Sequence, residues 1–188
     1  MNLRDLPNLI TVLRILLVPP VALLLVEGDF GWALVLFAAA GVSDGIDGYL
    51  ARRFGWRSRL GAFLDPFADK LLMLAVYLTL GWEGHLPAWL VAAVIGRDVI
   101  IVVGAVAYQY LVERLDIRPS YASKLNTVFQ ILLVVVLLLG LSGVPVPPQV
   151  ITLMIYIVLG TTVASGAGYV WEWGRRLVRA VREKGDTA

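Results

Sequence analysis

The chain has few of the residues on which soluble catalytic and structural sites usually depend. It contains no cysteine and a single histidine, His85, among 188 residues. The first absence excludes disulfide bonds and thiol chemistry, and the second excludes a metal site built from several histidines. Charged residues make up 16% of the chain, against about 25% in an ordinary soluble domain. The remainder is rich in apolar residues, at 59% of the chain with a mean hydropathy of +0.81, which is a membrane-protein composition.

Six apolar segments approach the length of about 20 residues that a helix needs to span a bilayer. The loops between them are short, which favours antiparallel neighbours. The sequence therefore predicts an all-α fold, a polytopic membrane helix bundle with six transmembrane helices. We expect these helices at residues 9–25, 32–52, 60–80, 88–111, 123–141 and 148–171. Residues 1–174 would form the membrane domain, and residues 175–188 a basic cytoplasmic C-terminal tail.

Lysine and arginine are distributed unevenly between the loops. Residues 27–31, 81–87 and 142–147 contain neither, whereas residues 52–59, 114–124 and 175–184 are basic. Basic loops stay on the cytoplasmic side of a membrane. We therefore predict an integral protein of a bacterial inner membrane, with both termini and residues 44–69 facing the cytoplasm.

Four aspartates lie within or beside the second and third apolar segments: Asp44, Asp47, Asp65 and Asp69. A charge at membrane depth costs at least about 2–3 kcal/mol, so such carboxylates are functional candidates. Residues three or four apart share a helix face, so each pair would project from one side of its helix. Oxygen ligands in this number suit one or two divalent cations. Two alternatives are helix-end charges solvated at the interface and a divalent cation transporter, although transport needs access from both sides.

The same segment carries a longer pattern, D-x-x-D-G-x-x-A-R, eight residues, then G-x-x-x-D-x-x-x-D. Every fixed position is filled, by Asp44, Asp47, Gly48, Ala51, Arg52, Gly61, Asp65 and Asp69. The pattern resembles the signature of the CDP-alcohol phosphatidyltransferases. This resemblance implies an enzyme that transfers the phosphatidyl group of CDP-diacylglycerol to an alcohol and releases CMP, with two Mg²⁺ or Mn²⁺ ions as cofactors.

The resemblance also implies a role for each residue of the pattern. The metal ligands would be Asp44, Asp47, Asp65 and Asp69. Asp69 would in addition be the catalytic base that takes the proton of the acceptor hydroxyl. The nucleotide would be bound by Asp44, Gly48, Arg52 and Gly61.

Three basic residues outside the pattern are candidates for the acceptor's phosphate. Arg118 and Lys124 flank the start of the predicted fifth helix, and a helix N-terminus with basic groups is a natural phosphate site. Arg97 lies about ten residues into the fourth helix, deep by a rise of about 1.5 Å per residue. The alternative for Arg118 and Lys124 is an ordinary helix N-cap with basic residues on the cytoplasmic side. The alternative for Arg97 is an ion pair with a partner that balances its charge.

A smaller polar group recurs on the first helix. Asn8, Thr11 and Arg14 are spaced by three residues, which places them along one side of a helix. They would form either a polar stripe at the membrane interface or part of the lining of a cytoplasmic cavity.

Within the family, the chain is most similar to the CMP-forming cardiolipin synthases. The most discriminating stretch is Ser123-Lys124-Leu125-Asn126-Thr127, followed by Gln130. This similarity implies phosphatidylglycerol as acceptor. Phosphatidylglycerophosphate synthases are also similar but usually have G-K-x-K-T in this place. Similarity to these synthases implies glycerol 3-phosphate as the alternative acceptor. The other partners implied are the lipid bilayer and a second copy of the chain in a homodimer, and no nucleic acid is expected.

Overall fold

A computed structural model describes the backbone of residues 6–54, 59–111 and 121–185. Side chains are described for residues 10–45, 67–68, 70–104, 121–171 and 175. Within these ranges the regular elements are six α-helices, which confirms the predicted all-α fold. The helices are α1 (Leu6–Glu27), α2 (Phe30–Phe54), α3 (Arg59–Trp82), α4 (Ala88–Leu111), α5 (Tyr121–Leu141) and α6 (Pro148–Gly185).

Three of the helices end at a glycine with positive φ. Gly28, Gly84 and Gly143 follow α1, α3 and α5 with φ of 79°, 77° and 94°. After α1 the backbone N–H of Asp29 donates to the carbonyl of Leu24 at 2.9 Å, the six-residue closure of a Schellman motif. The same pattern closes the other two helices. These turns are in the loops that lack lysine and arginine.

One compact unit contains α1, α2, α3 and the C-terminal part of α5. In this unit α1 packs against both α2 and α3. Buried side chains recur every three or four residues along each helix, namely Val18, Val21 and Leu25 on α1, Ala33, Phe37 and Ala40 on α2, and Leu72, Val76 and Leu80 on α3. The fully buried alanines of α2 allow close backbone approach, which is how helices associate where lipid removes the hydrophobic driving force.

A second compact unit contains α4, the N-terminal part of α5 and α6. Its interior includes apolar residues such as Leu90 and Val158. It also includes five buried polar or charged side chains, Arg97, Asn126, Gln130, Thr162 and Ser165. Each buried polar group is costly unless it is hydrogen-bonded, so the partners of these side chains decide how the unit holds together.

Three of the helices contain a stretch long and apolar enough to cross a membrane. Within the residues described, these stretches are Ile10–Glu27, Tyr121–Leu141 and Pro148–Trp171. Shorter apolar stretches occur at Phe30–Gly45 of α2 and Lys70–Trp82 of α3. The apolar helices indicate an integral membrane protein, and among the residues that the structure describes three of the six predicted spans meet the length and composition expected of a spanning helix.

The last helix is longer than its predicted span. α6 has 38 residues, which corresponds to about 57 Å of helix. The helix continues without interruption into the basic segment that begins at Arg175, and it ends at Gly185. The separation of residues 175–188 as a distinct tail stays a prediction.

Candidate functional site

The four aspartates of the sequence pattern lie on two helices that both pack against α1. Asp44 and Asp47 are on α2, and Asp65 and Asp69 are on α3. The side chain of Asp44 is described, whereas those of the other three aspartates lie outside the described residues. The same is true of Gly48, Arg52 and Gly61. The convergence of the four carboxylates therefore stays a prediction that the helix placement permits.

A buried arginine of α1 contacts the first of these aspartates. Nη1 of Arg14 lies 2.8 Å from Oδ1 of Asp44, and the two side chains are 1% and 37% exposed. Thr11, one turn earlier on α1, is fully buried, so the side chains of Thr11 and Arg14 both lie within the helix packing. Removing one partner of a fully buried ion pair costs about 3–5 kcal/mol. The cost is smaller here because water screens the exposed part of Asp44.

This ion pair leaves Asp44 able to bind a second cation. A carboxylate has two oxygens and about four lone-pair sites, and the contact with Arg14 engages Oδ1. The side chain is also more than one-third exposed. Carboxylate oxygens are the ligands that Mg²⁺ and Mn²⁺ prefer. Among the side chains described, no three carboxylates or histidines gather into a cluster, and three of the four aspartates are not in that set.

A second polar centre lies in the unit formed by α4, α5 and α6. Arg97 of α4 is 8% exposed and donates from Nη1 to Oδ1 of Asp98 at 2.6 Å. From Nη2 it donates to Oγ of Ser165 on α6 at 2.7 Å and to Oγ of Ser123 on α5. One guanidinium therefore joins three helices. The alternative that Arg97 forms an ion pair with a partner is confirmed, since the Asp98 carboxylate lies beside it. Nε of Arg97 has no hydrogen-bond partner among the described residues.

Asn126 extends this polar interior by one turn of α5. Its Oδ1 lies 2.9 Å from the hydroxyls of Thr161 and Thr162 on α6, which are positioned to donate to it. The side chain is fully buried, and its Nδ2 has no partner in the part of the chain that the structure describes. Asn126, which stands where the G-K-x-K-T pattern has its second lysine, thus contacts α6.

Lys124, the basic candidate near the start of α5 that the structure describes, is placed differently from Arg97. Lys124 is exposed, and its Nζ lies 5.6 Å from the ring centroid of Tyr121. This distance is within the range of a cation–π interaction. Arg118 lies outside the described residues. The structure therefore brings Arg97 to Ser123 but leaves the ammonium of Lys124 at the surface.

Sequence reasoning did not assign a role to several of these partners. It did not pair Arg14 with Asp44, and it gave no role to Thr162 or Ser165. A usable signal was present, because Thr162 and Ser165 are three residues apart on α6 and share a face. Ser123 and Asn126 have the same spacing on α5. Two polar faces of equal spacing on apolar helices favour mutual hydrogen bonding.

Comparison with known proteins gives one family. A sequence model of the CDP-alcohol phosphatidyltransferase family matches residues 4–164. The cardiolipin synthase (CMP-forming) of Homo sapiens is 31% identical over 203 residues, covering 97% of this chain and 65% of that protein. The CDP-diacylglycerol–glycerol-3-phosphate 3-phosphatidyltransferase 1, chloroplastic, of Oryza sativa subsp. japonica is 33% identical over 183 residues, covering 88% and 56%. The chain thus spans less than two-thirds of the length of these two relatives.

A bacterial relative matches over more of its own length. The CDP-diacylglycerol–glycerol-3-phosphate 3-phosphatidyltransferase of Pseudomonas fluorescens is 39% identical over 146 residues, covering 71% of this chain and 72% of that protein. The three relatives carry the names of two kinds of phosphatidyltransferase at comparable identity. The comparisons therefore identify the family and leave the acceptor alcohol to be argued separately.

Proposed function

Because the chain belongs to the CDP-alcohol phosphatidyltransferase family, we propose that it transfers the phosphatidyl group of CDP-diacylglycerol to phosphatidylglycerol. The products would be cardiolipin and CMP, which is the reaction of a CMP-forming cardiolipin synthase. The observation that carries this proposal is the complete aspartate pattern on α2 and α3, two helices packed on the same neighbour. The bilayer, which the apolar helices indicate, would supply both lipid substrates.

The donor set fits two divalent cations. The four carboxylates of Asp44, Asp47, Asp65 and Asp69 are hard oxygen ligands, and the side chain of Asp44 is 37% exposed beside Arg14. Mg²⁺ or Mn²⁺, when bound, would neutralise the pyrophosphate and the charge that develops on the leaving CMP. The aspartates would hold these ions and thereby fix the position of the reacting phosphate.

The remaining residues of the pattern would bind substrate and move the proton. The acceptor hydroxyl would attack the phosphorus that carries diacylglycerol, the bond from that phosphorus to the CMP oxygen would break, and Asp69 would take the hydroxyl proton. A carboxylate near metal ions is a weak base, so its placement must supply much of the effect. Gly48 and Gly61 would permit close approach of the nucleotide, and Arg52 would pair with its phosphates.

The acceptor's phosphate would be bound by basic residues outside the aspartate pattern. Arg118 and Lys124 are the main candidates. Arg97 is a lesser one, because both of its Nη groups already donate to protein oxygens. Glycerol 3-phosphate is the alternative acceptor, favoured by the names of the rice and Pseudomonas relatives. The S-K-x-N-T stretch at residues 123–127 supports phosphatidylglycerol instead.

The membrane arrangement is part of the proposal. We place six spans in a bacterial inner membrane, with the aspartate site on the cytoplasmic side, and we expect a homodimer. The support for this orientation is that the three glycine-ended turns lie in loops without lysine or arginine. The dimer is supported by family resemblance alone.

The deciding experiment offers the purified protein CDP-diacylglycerol and Mg²⁺ or Mn²⁺, with either phosphatidylglycerol or glycerol 3-phosphate. CMP and the lipid products are then measured. Cardiolipin from phosphatidylglycerol is the expected result. Phosphatidylglycerophosphate from glycerol 3-phosphate would keep the reaction and change the acceptor. No CMP with either alcohol would refute the proposed activity.

Aspartate variants test the site itself. Asp44→Ala, Asp65→Ala and Asp69→Ala should each abolish CMP release while the protein still inserts and folds. Asp29→Ala is the matched control, because Asp29 precedes α2 and its Oδ1 accepts from the backbone N–H of Trp32 at an exposed helix start. Substantial turnover in any purified site variant would remove that aspartate from the assignment.

A further inference from the structure

We propose that Arg14 is a positioning residue that fixes the carboxylate of Asp44 for cation binding. The inference rests on the proposed function, in which Asp44 is a metal ligand, and it adds a residue outside the aspartate pattern. It starts from one contact, the 2.8 Å approach of Nη1 of Arg14 to Oδ1 of Asp44. Arg14 would act through Asp44 and would not touch the reacting atoms.

Burial shows that the contact is built into the helix packing. The Arg14 side chain is 1% exposed on the helix that packs against both aspartate-bearing helices. An arginine placed at the surface for solubility would extend to water, because its long stem allows the charged head to snorkel. Here the guanidinium is enclosed, with Val18 buried one turn further along α1. Its position is therefore determined by α1, and it can hold Asp44 in one orientation.

Two effects of Arg14 on cation binding oppose each other. Its positive charge repels a second cation near Asp44 and lowers the affinity. Its hydrogen bond restricts the carboxylate to one rotamer and orients the remaining oxygen, which raises the affinity. We expect orientation to prevail because the Arg14 side chain is only 1% exposed, so its contact holds the Asp44 carboxylate in place before a cation binds. Outer partners of metal ligands typically change metal affinity by about 10–100-fold when they are removed.

The test measures Mn²⁺ binding directly, without turnover. The full chain is purified in detergent, and free Mn²⁺ is followed by electron paramagnetic resonance during titration. Arg14→Gln removes the charge, and Arg14→Lys keeps it but loses the planar fork that fits a carboxylate. Val18→Ala is the control, because it removes buried apolar volume on the same face of α1 and changes no charged or polar group.

The proposal expects a graded result. Arg14→Gln should weaken Mn²⁺ binding by about 10–100-fold, Arg14→Lys by less, and Val18→Ala should leave it unchanged. In the CMP-release assay, excess Mn²⁺ should restore much of the kcat of Arg14→Gln, which would not happen if the lesion were only a loss of packing. If Arg14→Gln does not fold, weaker Mn²⁺ binding by the folded Arg14→Lys protein carries the test.

Other results would overturn the inference in distinguishable ways. Wild-type Mn²⁺ affinity in the folded Arg14 variants would show that Arg14 does not position Asp44. Tighter binding would show that its charge competes with the metal. An unmodified protein that neither binds Mn²⁺ nor releases CMP would instead refute the proposed function, and the role of Arg14 with it.

Discussion

Replacing Ser165 with alanine tests whether the buried contacts of Arg97 hold α4, α5 and α6 together. Ser165 is 1% exposed, and its Oγ accepts a hydrogen bond from Nη2 of Arg97 at 2.7 Å. Alanine removes this acceptor and little else, because the two side chains differ by one oxygen. Any loss of stability therefore reports on the hydrogen bond.

The expected loss follows from the surroundings of that bond. A hydrogen bond to a charged group contributes about 1.5–3 kcal/mol in a soluble protein, whereas interhelical hydrogen bonds in membrane proteins average about 0.6 kcal/mol. Nη2 of Arg97 keeps Ser123 as a second acceptor, and alanine is the better helix former by a few tenths of a kcal/mol. We therefore expect a net loss of about 1–2 kcal/mol, which for a chain of this size is a fall in Tm of about 2–8 °C.

Thermal unfolding in detergent, followed by tryptophan fluorescence, measures the change. Ser142→Ala is the matched control, because the Ser142 hydroxyl donates to the carbonyl of Leu138 at the exposed end of α5. Its effect should stay within about 0.5 kcal/mol. In an Arg97→Met background the Ser165 effect should disappear, since the donor is gone. Equal melting of the Ser165→Ala and Ser142→Ala proteins would refute the reasoning.

Three further substitutions test the stability of the fold in the same assay. Gly166→Ala should leave the stability unchanged or raise it by up to about 1 kcal/mol, because the new Cβ would meet Cγ of Arg97 at an ordinary 3.6 Å; a clear loss of stability would contradict this. Gly28→Ala should cost about 1–2 kcal/mol, because φ of 79° is unfavourable for a residue with a Cβ; unchanged melting would count against the turn geometry. Asn126→Leu should cost about 1–3 kcal/mol, because the buried Thr162 hydroxyl loses its acceptor; a neutral effect would show that this contact is dispensable.

Hydropathy predicted the helices well because the information is local. The start of every helix lies within three residues of its predicted position, and α4 has the predicted bounds of residues 88–111. The prediction ended the last helix at residue 171 because its apolar stretch stops there, whereas the helix continues to Gly185. Backbone hydrogen bonding continues through a basic segment as readily as through an apolar one, so hydropathy marks the end of an apolar stretch and not the end of a helix.

For the candidate site, too, local features could be predicted from the sequence and long-range contacts could not. The helical setting of Asp44 could be predicted because its spacing from Asp47 is a property of one helix. Its ion pair with Arg14 could not, because thirty residues separate the partners and several carboxylates were equally eligible. Likewise, the bond from Arg97 to Ser165 spans 68 residues. Such pairings depend on how helices pack, which a single sequence constrains only through matching polar faces.

Arg14 and Arg97, both buried, show why burial alone does not identify a functional charge. Both Nη groups of Arg97 donate within the protein, to a carboxylate and to two hydroxyls, so its described contacts account for most of its hydrogen-bonding capacity. Arg14 instead contacts Asp44, which belongs to the family's aspartate pattern and retains an exposed face. The two cases predict opposite phenotypes. Loss of Ser165 should lower Tm without changing Mn²⁺ affinity, whereas loss of Arg14 should weaken Mn²⁺ binding even at temperatures where the protein remains folded.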